Sequence, residues 1–136
     1  MEQTLLIIGA SIFGVLGSIN LIYTFFSNKF IAYDPSVTAA MKETSLILTK
    51  ETTIWNAWVG FNASHSLGAI LVSAIYIPLT VSHFYVIQQS IWFSTLPVFI
   101  GLSYLILAKK YWFKIPFIGV LTSTFCFIGA AILINT

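Results

Sequence analysis

Residues 54–80 read IWNAWVGFNASHSLGAILVSAIYIPLT, and no Asp, Glu, Lys or Arg interrupts them. Bilayer hydrocarbon is about 30 Å thick and a helix rises about 1.5 Å per residue, so roughly 20 apolar residues are enough to cross it. This stretch is long enough to span a membrane. Three others match it, from about Thr4 to Ser27, about Ser90 to Ala108 and about Ile115 to Ile134. Runs such as Leu5-Leu6-Ile7-Ile8 and Ile132-Leu133-Ile134 are apolar on every side, which is not the two-residue alternation of a membrane barrel. The predicted fold is all-α, a four-transmembrane-helix bundle forming one integral membrane domain over residues 1–136.

Composition agrees. The chain is 58% hydrophobic and 7% charged, where a soluble domain carries about a quarter charged residues. A nucleic-acid binder, a disordered chain and a cytosolic enzyme all need more charge than this. The lone Cys126 leaves no intrachain disulfide and no thiolate pair for redox or metal chemistry.

The positions of the charges predict orientation. All six lysines (Lys29, Lys42, Lys50, Lys109, Lys110 and Lys114) fall in the first and third connections between spans. With four spans those connections share one side, and the positive-inside rule makes that side cytoplasmic, with both termini periplasmic in a bacterial inner membrane. The first span lacks a basic stretch before Leu5 and carries its lysine afterwards, so it reads as an uncleaved anchor. Trp55 and Trp58, Trp92-Phe93 and Tyr111-Trp112-Phe113 lie near span ends, where amphipathic rings favour the headgroup level. Trp58 sits a turn deeper, with a pocket as its alternative surrounding. His83, beside Phe84 and Tyr85, reads as exposed in the outer connection.

The first connection predicts a short amphipathic helix from about Pro35 to Ile47. Asp34 would be its N-cap and Pro35 its first residue, with Val37, Ala40, Met41 and Leu48 at helical spacing. Lys42 is then expected near the phosphate level. Thr49 is expected to cap the second span, with Glu51 in its first turn, where the helix dipole favours a carboxylate.

Within the second span polar residues accumulate, and they are costly in hydrocarbon unless they face protein or water. Glu51, Trp55, Trp58, Asn62 and His65 follow one another at intervals of four and three residues, which predicts a single helix face. Counting from Ile54, Asn62 lies about 12 Å and His65 about 16 Å into the membrane, while Asn20 of the first span lies about 10 Å in from the same side. A cross-helix amide pair between Asn20 and Asn62 is expected, with Ser18 and His65 just beyond. Gly60, Ser64 and Gly68 form a small-residue stripe on another face, matched in the first span by Ala10, Gly14 and Ser18, and the two stripes predict close packing of spans one and two.

Two readings of the cluster follow. In one, Asn20, Asn62, His65 and Ser66 hydrogen-bond one another and the backbone and set helix register. In the other, they floor a cytoplasm-facing pocket for a lipophilic or lipid-derived small molecule. Asn62, Trp58, Trp55, Asn20, Ser66 and Ser18 would line it, with His65 as proton donor or acceptor and Glu51 assisting.

Other chemistry finds little support. No span pairs two histidines, or a histidine and a carboxylate, at i, i+3 or i, i+4, so no metal site and no cofactor is expected. There is no arginine to clamp a phosphate. Pro78 and Pro97 fall inside spans and predict bends, whereas Pro116 falls in a first turn.

The stretch Glu51 to Gly68, reading Glu-Thr-Thr-x-Trp-x-Ala-Trp-x-Gly-Phe-Asn-x-Ser-His-Ser-x-Gly, together with Lys110-Tyr111-Trp112-Phe113-Lys114-Ile115-Pro116, resembles motifs of a small, functionally uncharacterised family of bacterial four-span integral membrane proteins. The resemblance implies the four-span fold and draws attention to Glu51, Trp58, Asn62, Ser64, His65 and Ser66. It implies no activity, and whether the chain is an enzyme stays open. Three functional classes remain: the ligand pocket, a structural or accessory subunit of a larger membrane complex, and a small oligomeric transporter or channel. The lipid bilayer is the one expected partner common to all, a homo-oligomer is compatible with each, and nucleic acid is not expected.

Overall fold

The computed structural model describes residues 1–136 as six α-helices, with no strand beyond one isolated bridge. Four are long and apolar enough to cross a membrane: α1 (Glu2–Phe26), α3 (Ile54–Ser82), α5 (Ile91–Tyr111) and α6 (Lys114–Asn135). Two short ones, α2 (Pro35–Glu43) and α4 (Phe84–Gln89), lie in the connections. The fold is the expected all-α, four-span type. The long helices overrun several expected span ends by one to three residues, because a helix does not stop where hydrocarbon does. α5 continues through Lys109 and Lys110, cations that favour a helix C-terminus.

Contacts divide the chain into two compact units. The first comprises Met1–Leu16 and Ala69–Thr136, the second Gly17–Gly68.

In the first unit α5 and α6 form an antiparallel hairpin joined by Trp112 and Phe113 alone, and the Trp112 N–H closes α5 by donating to the Ala108 carbonyl at 3.1 Å. α5 buries Ser94, Pro97, Gly101 and Ala108, and α6 buries Val120, Ser123, Thr124, Phe127, Ala130 and Ala131. These three- and four-residue intervals are the seam of left-handed helix packing. Small residues dominate because lipid is as apolar as leucine, so membrane helices associate through close approach and hydrogen bonds instead of escape from water. A Cβ at Gly101 would stand 2.7 Å from the Thr124 hydroxyl oxygen.

The N-terminal half of α1 adds Leu6, Ala10 and Phe13 to this core, and the C-terminal half of α3 adds Ala69, Val72 and Tyr76. Phe13 meets Tyr104 edge-on at 5.1 Å and Phe127 at 5.8 Å between ring centres. Gly9 gives the Phe127 ring its place, since a Cβ there would lie 2.6 Å from a ring carbon. The Ser123 hydroxyl donates to the Gly9 carbonyl at 3.1 Å. At the far end of the helices the Tyr76 hydroxyl donates to the Phe93 carbonyl at 3.0 Å, and the Asn135 amide to the Ser94 hydroxyl at 3.0 Å.

The sequence reading did not foresee α4. Phe84–Gln89 is too short to show a helical period, yet it seats Ile87 fully inside the core. His83 precedes it as N-cap without a side-chain cap bond and is exposed, as expected. Helix geometry continues through both Pro78 and Pro97.

The second unit holds the C-terminal part of α1, the connection with α2, and the N-terminal part of α3. Asp34 caps α2 as expected, its carboxylate accepting from the Ser36 N–H at 2.9 Å. The helix is shorter than Pro35–Ile47. Thr44 is already extended, with φ −109° and ψ 153°, and Ser45 turns to bridge Thr53. The Ile54 N–H donates to the Thr44 carbonyl at 3.0 Å, closing the neck of a loop that leaves Ile47 and Leu48 exposed. The apolar stripe expected on α2 is not its buried side. Thr38 is buried instead, its hydroxyl accepting from the Ala32 N–H at 2.9 Å, while Val37 is exposed.

Candidate functional site

The polar residues of the second unit converge on the facing turns of α1 and α3. Asn62 is only 4% exposed and Ser66 is fully buried. The Asn20 side-chain amide donates to the Ser66 hydroxyl and, at 3.3 Å, to the Asn62 backbone carbonyl. The Ser66 hydroxyl in turn donates to that same carbonyl at 2.8 Å, and the Asn62 amide donates to the Trp58 carbonyl at 3.0 Å. One turn further along α1, the Thr24 hydroxyl donates to the Asn20 carbonyl at 2.7 Å. Asn20 and Asn62 therefore lie at the same level of the two helices, but the amides do not pair with each other. A helix-borne asparagine has a nearer acceptor in its own preceding turn, and the Asn62 amide takes it.

A second group of contacts fastens the connection to the start of α3. The Trp58 indole N–H donates to the Phe30 carbonyl at 3.1 Å, and the two rings meet edge-on with centres 6.5 Å apart. Tyr23 packs against Phe30 from the α1 side at 6.4 Å. The Lys42 ammonium lies 5.2 Å from the centre of the Trp55 ring, a cation–π contact that ties α2 to the first turn of α3. The two tryptophans are thus engaged with the connection.

Several placements differ from the sequence reading. The cap of α3 is Thr53, whose hydroxyl accepts from the Asn56 N–H at 3.1 Å. Thr49 instead accepts from the Glu51 N–H at 3.1 Å within the loop. Glu51 consequently precedes the helix, is exposed, and does not continue the face of Trp55, Trp58, Asn62 and His65. Helical spacing aligns residues only inside a helix, and the chain enters it three residues later. His65 lies in α3 and is half-buried, on the flank of the seam that Asn62 and Ser66 occupy.

The small-residue stripes also separate. Ala10 is buried, and a Cβ on Gly14 would lie 2.6 Å from the Ser73 hydroxyl, whereas Ser18 is exposed. On α3, Gly60 has nothing within 4 Å of its Cβ position. Ser64 is exposed and its hydroxyl donates back to the Gly60 carbonyl at 2.8 Å. Along α3 the more buried positions Asn62, Ser66, Ala69, Ser73, Tyr76 and Thr80 recur at intervals of four and three, and along α1 Leu6, Ala10, Phe13, Gly17, Asn20 and Thr24 do the same. What sequence reasoning missed was Phe30, whose carbonyl accepts from Trp58, and Thr53, which caps α3.

No group of three or more His, Cys, Asp or Glu side chains comes together to hold a metal ion. The first unit holds an open apolar groove of about 540 Å³ between α5 and α6, lined by Trp92, Thr95, Phe99, Ile128 and Ile132 among others, and no residue of the expected polar pocket lines it. No family model, curated protein or solved structure matches the chain.

Proposed function

We propose that this multi-pass membrane protein is a structural or accessory component of a membrane complex, set in a bacterial inner membrane with its lysine-bearing connections in the cytoplasm. One observation carries the reading: Asn20, Asn62, Ser66 and Trp58, four of the side chains expected to line a pocket, are hydrogen-bonded to one another and to backbone. Asn20, Asn62 and Ser66 form a closed set, and Trp58 and Trp55 hold the connection between α1 and α3. Such a set fixes helix register in a greasy bundle, where few other contacts distinguish one register from the next. The orientation rests on the lysine asymmetry.

A lipophilic-ligand site at His65 is the second reading, favoured by one feature: His65 is half-buried beside the seam instead of sealed within it. Extraction of the full chain from its own membrane in mild detergent separates the two. The accessory reading expects a second membrane protein at fixed stoichiometry and no small molecule whose retention depends on His65. A small molecule that copurifies with the wild type and is lost from a folded His65→Ala variant would overturn it.

A further inference from the structure

The two lysine-bearing connections differ in charge balance. In the first, Lys29, Lys42 and Lys50 are offset by Asp34, Glu43 and Glu51. In the other, Lys109 and Lys110 close α5 and Lys114 opens α6, with only Trp112 and Phe113 between, and no Asp or Glu occurs anywhere after Glu51. All three ammonium-bearing side chains are exposed. The one acidic side chain in their unit, Glu2, is ion-paired with the terminal ammonium of Met1 at 3.4 Å. Three cations, none of them in an ion pair, therefore lie within one tight turn.

The same turn carries a ring of exposed apolar and aromatic side chains, Tyr111, Phe113 and Ile115. The Lys110 ammonium lies 5.3 Å from the centre of the Tyr111 ring, and the Trp112 and Phe113 rings stand 6.1 Å apart. Aromatic groups at a span end settle at the headgroup level, which brings the adjoining ammonium groups to the depth of lipid phosphates. Phe113 caps α6 without a side-chain hydrogen bond, so the first N–H groups of that helix add donors on the same side. Favourable interaction of Lys109 and Lys110 with the α5 dipole accounts for two of the cations but not for Lys114, which sits at the helix end that disfavours it.

We propose that the Lys109–Lys114 turn binds the phosphate of an anionic phospholipid, holding one headgroup against α5 and α6. The lipid is selected by net charge: a zwitterionic headgroup brings its own cation to the same turn, whereas an anionic one does not. The first connection, whose lysines are offset by carboxylates, has no such preference.

The test reconstitutes the full chain in bilayers of phosphatidylcholine mixed with phosphatidylglycerol and measures, by native mass spectrometry after delipidation, which lipid stays bound. Each engaged lysine is expected to favour phosphatidylglycerol about fivefold. The enrichment should fall to the bulk ratio in Lys109→Gln/Lys110→Gln/Lys114→Gln and persist in Lys29→Gln/Lys50→Gln. Soluble glycerol 3-phosphate should not displace the lipid, because it lacks the acyl chains that keep the headgroup at this depth. On the wild type alone, rising ionic strength should weaken the enrichment, since the turn is exposed. Retention at the bulk lipid ratio, enrichment that survives the triple substitution, enrichment indifferent to salt, or displacement by glycerol 3-phosphate would each overturn the proposal.

Discussion

Asn20 and Ser66, on different helices, are joined directly through the asparagine amide and the serine hydroxyl, and both converge on the backbone carbonyl of Asn62. A cross-helix bond of this kind in hydrocarbon is worth about 0.6 kcal/mol on average and up to about 1.7 kcal/mol. A double-mutant cycle of Asn20→Leu and Ser66→Ala, read by reversible unfolding in detergent micelles, should give a coupling energy in that range. A coupling near zero would mean that the bond does not hold the two helices.

Two glycines should respond oppositely to alanine. Gly9→Ala pushes a methyl into the fully buried Phe127 ring and should destabilise the protein by about 1–3 kcal/mol. Gly60→Ala meets open space and should be neutral or stabilise by up to about 1 kcal/mol through helix propensity. Thermal unfolding of the two variants side by side checks this. Equal destabilisation by both would place Gly60 in a packed face.

Trp58→Phe removes the indole N–H that reaches the Phe30 carbonyl but keeps a ring against Phe30. The loss should be about 1 kcal/mol, and Trp58→Ala should lose more. Hydrogen exchange along residues 28–33 is the sensitive measurement: protection should drop in both variants and leave α6 unchanged.

The first turn of α2 should be pH-dependent. Hydrogen bonds from the Ser36 hydroxyl and backbone N–H hold the Asp34 carboxyl below its ordinary value of 3.8. Its contribution is therefore complete above that value and is lost as pH falls through the lower folded one. Exchange protection of the α2 amides should decline in that acid range in the wild type, whereas Asp34→Asn, which keeps an acceptor but does not titrate, should show a flat profile there. An identical acid decline in both would assign the effect to another group.

The number of spans, their helical type and the N-cap of α2 were legible in the sequence. Transfer of each apolar side chain into lipid contributes nearly independently of its neighbours, so a run of them determines a span wherever the rest of the chain lies. The Asp34-Pro35 cap is likewise a matter of adjacent residues. Which side of each span turns inward is another kind of question. In a helix apolar all round, both Gly60-Ser64-Gly68 and Asn62-Ser66-Ala69 have plausible packing intervals, and only the partner surfaces choose between them. The structure buries the second run and leaves Gly60 and Ser64 exposed. Three-dimensional contacts also brought Phe30 to Trp58 across the connection, ended α2 at Glu43, and put Glu51 outside the helix. The physical reason is common to all of these: insertion into lipid is a sum over single residues, whereas register, caps and seams depend on pairs of residues that the chain brings together only on folding.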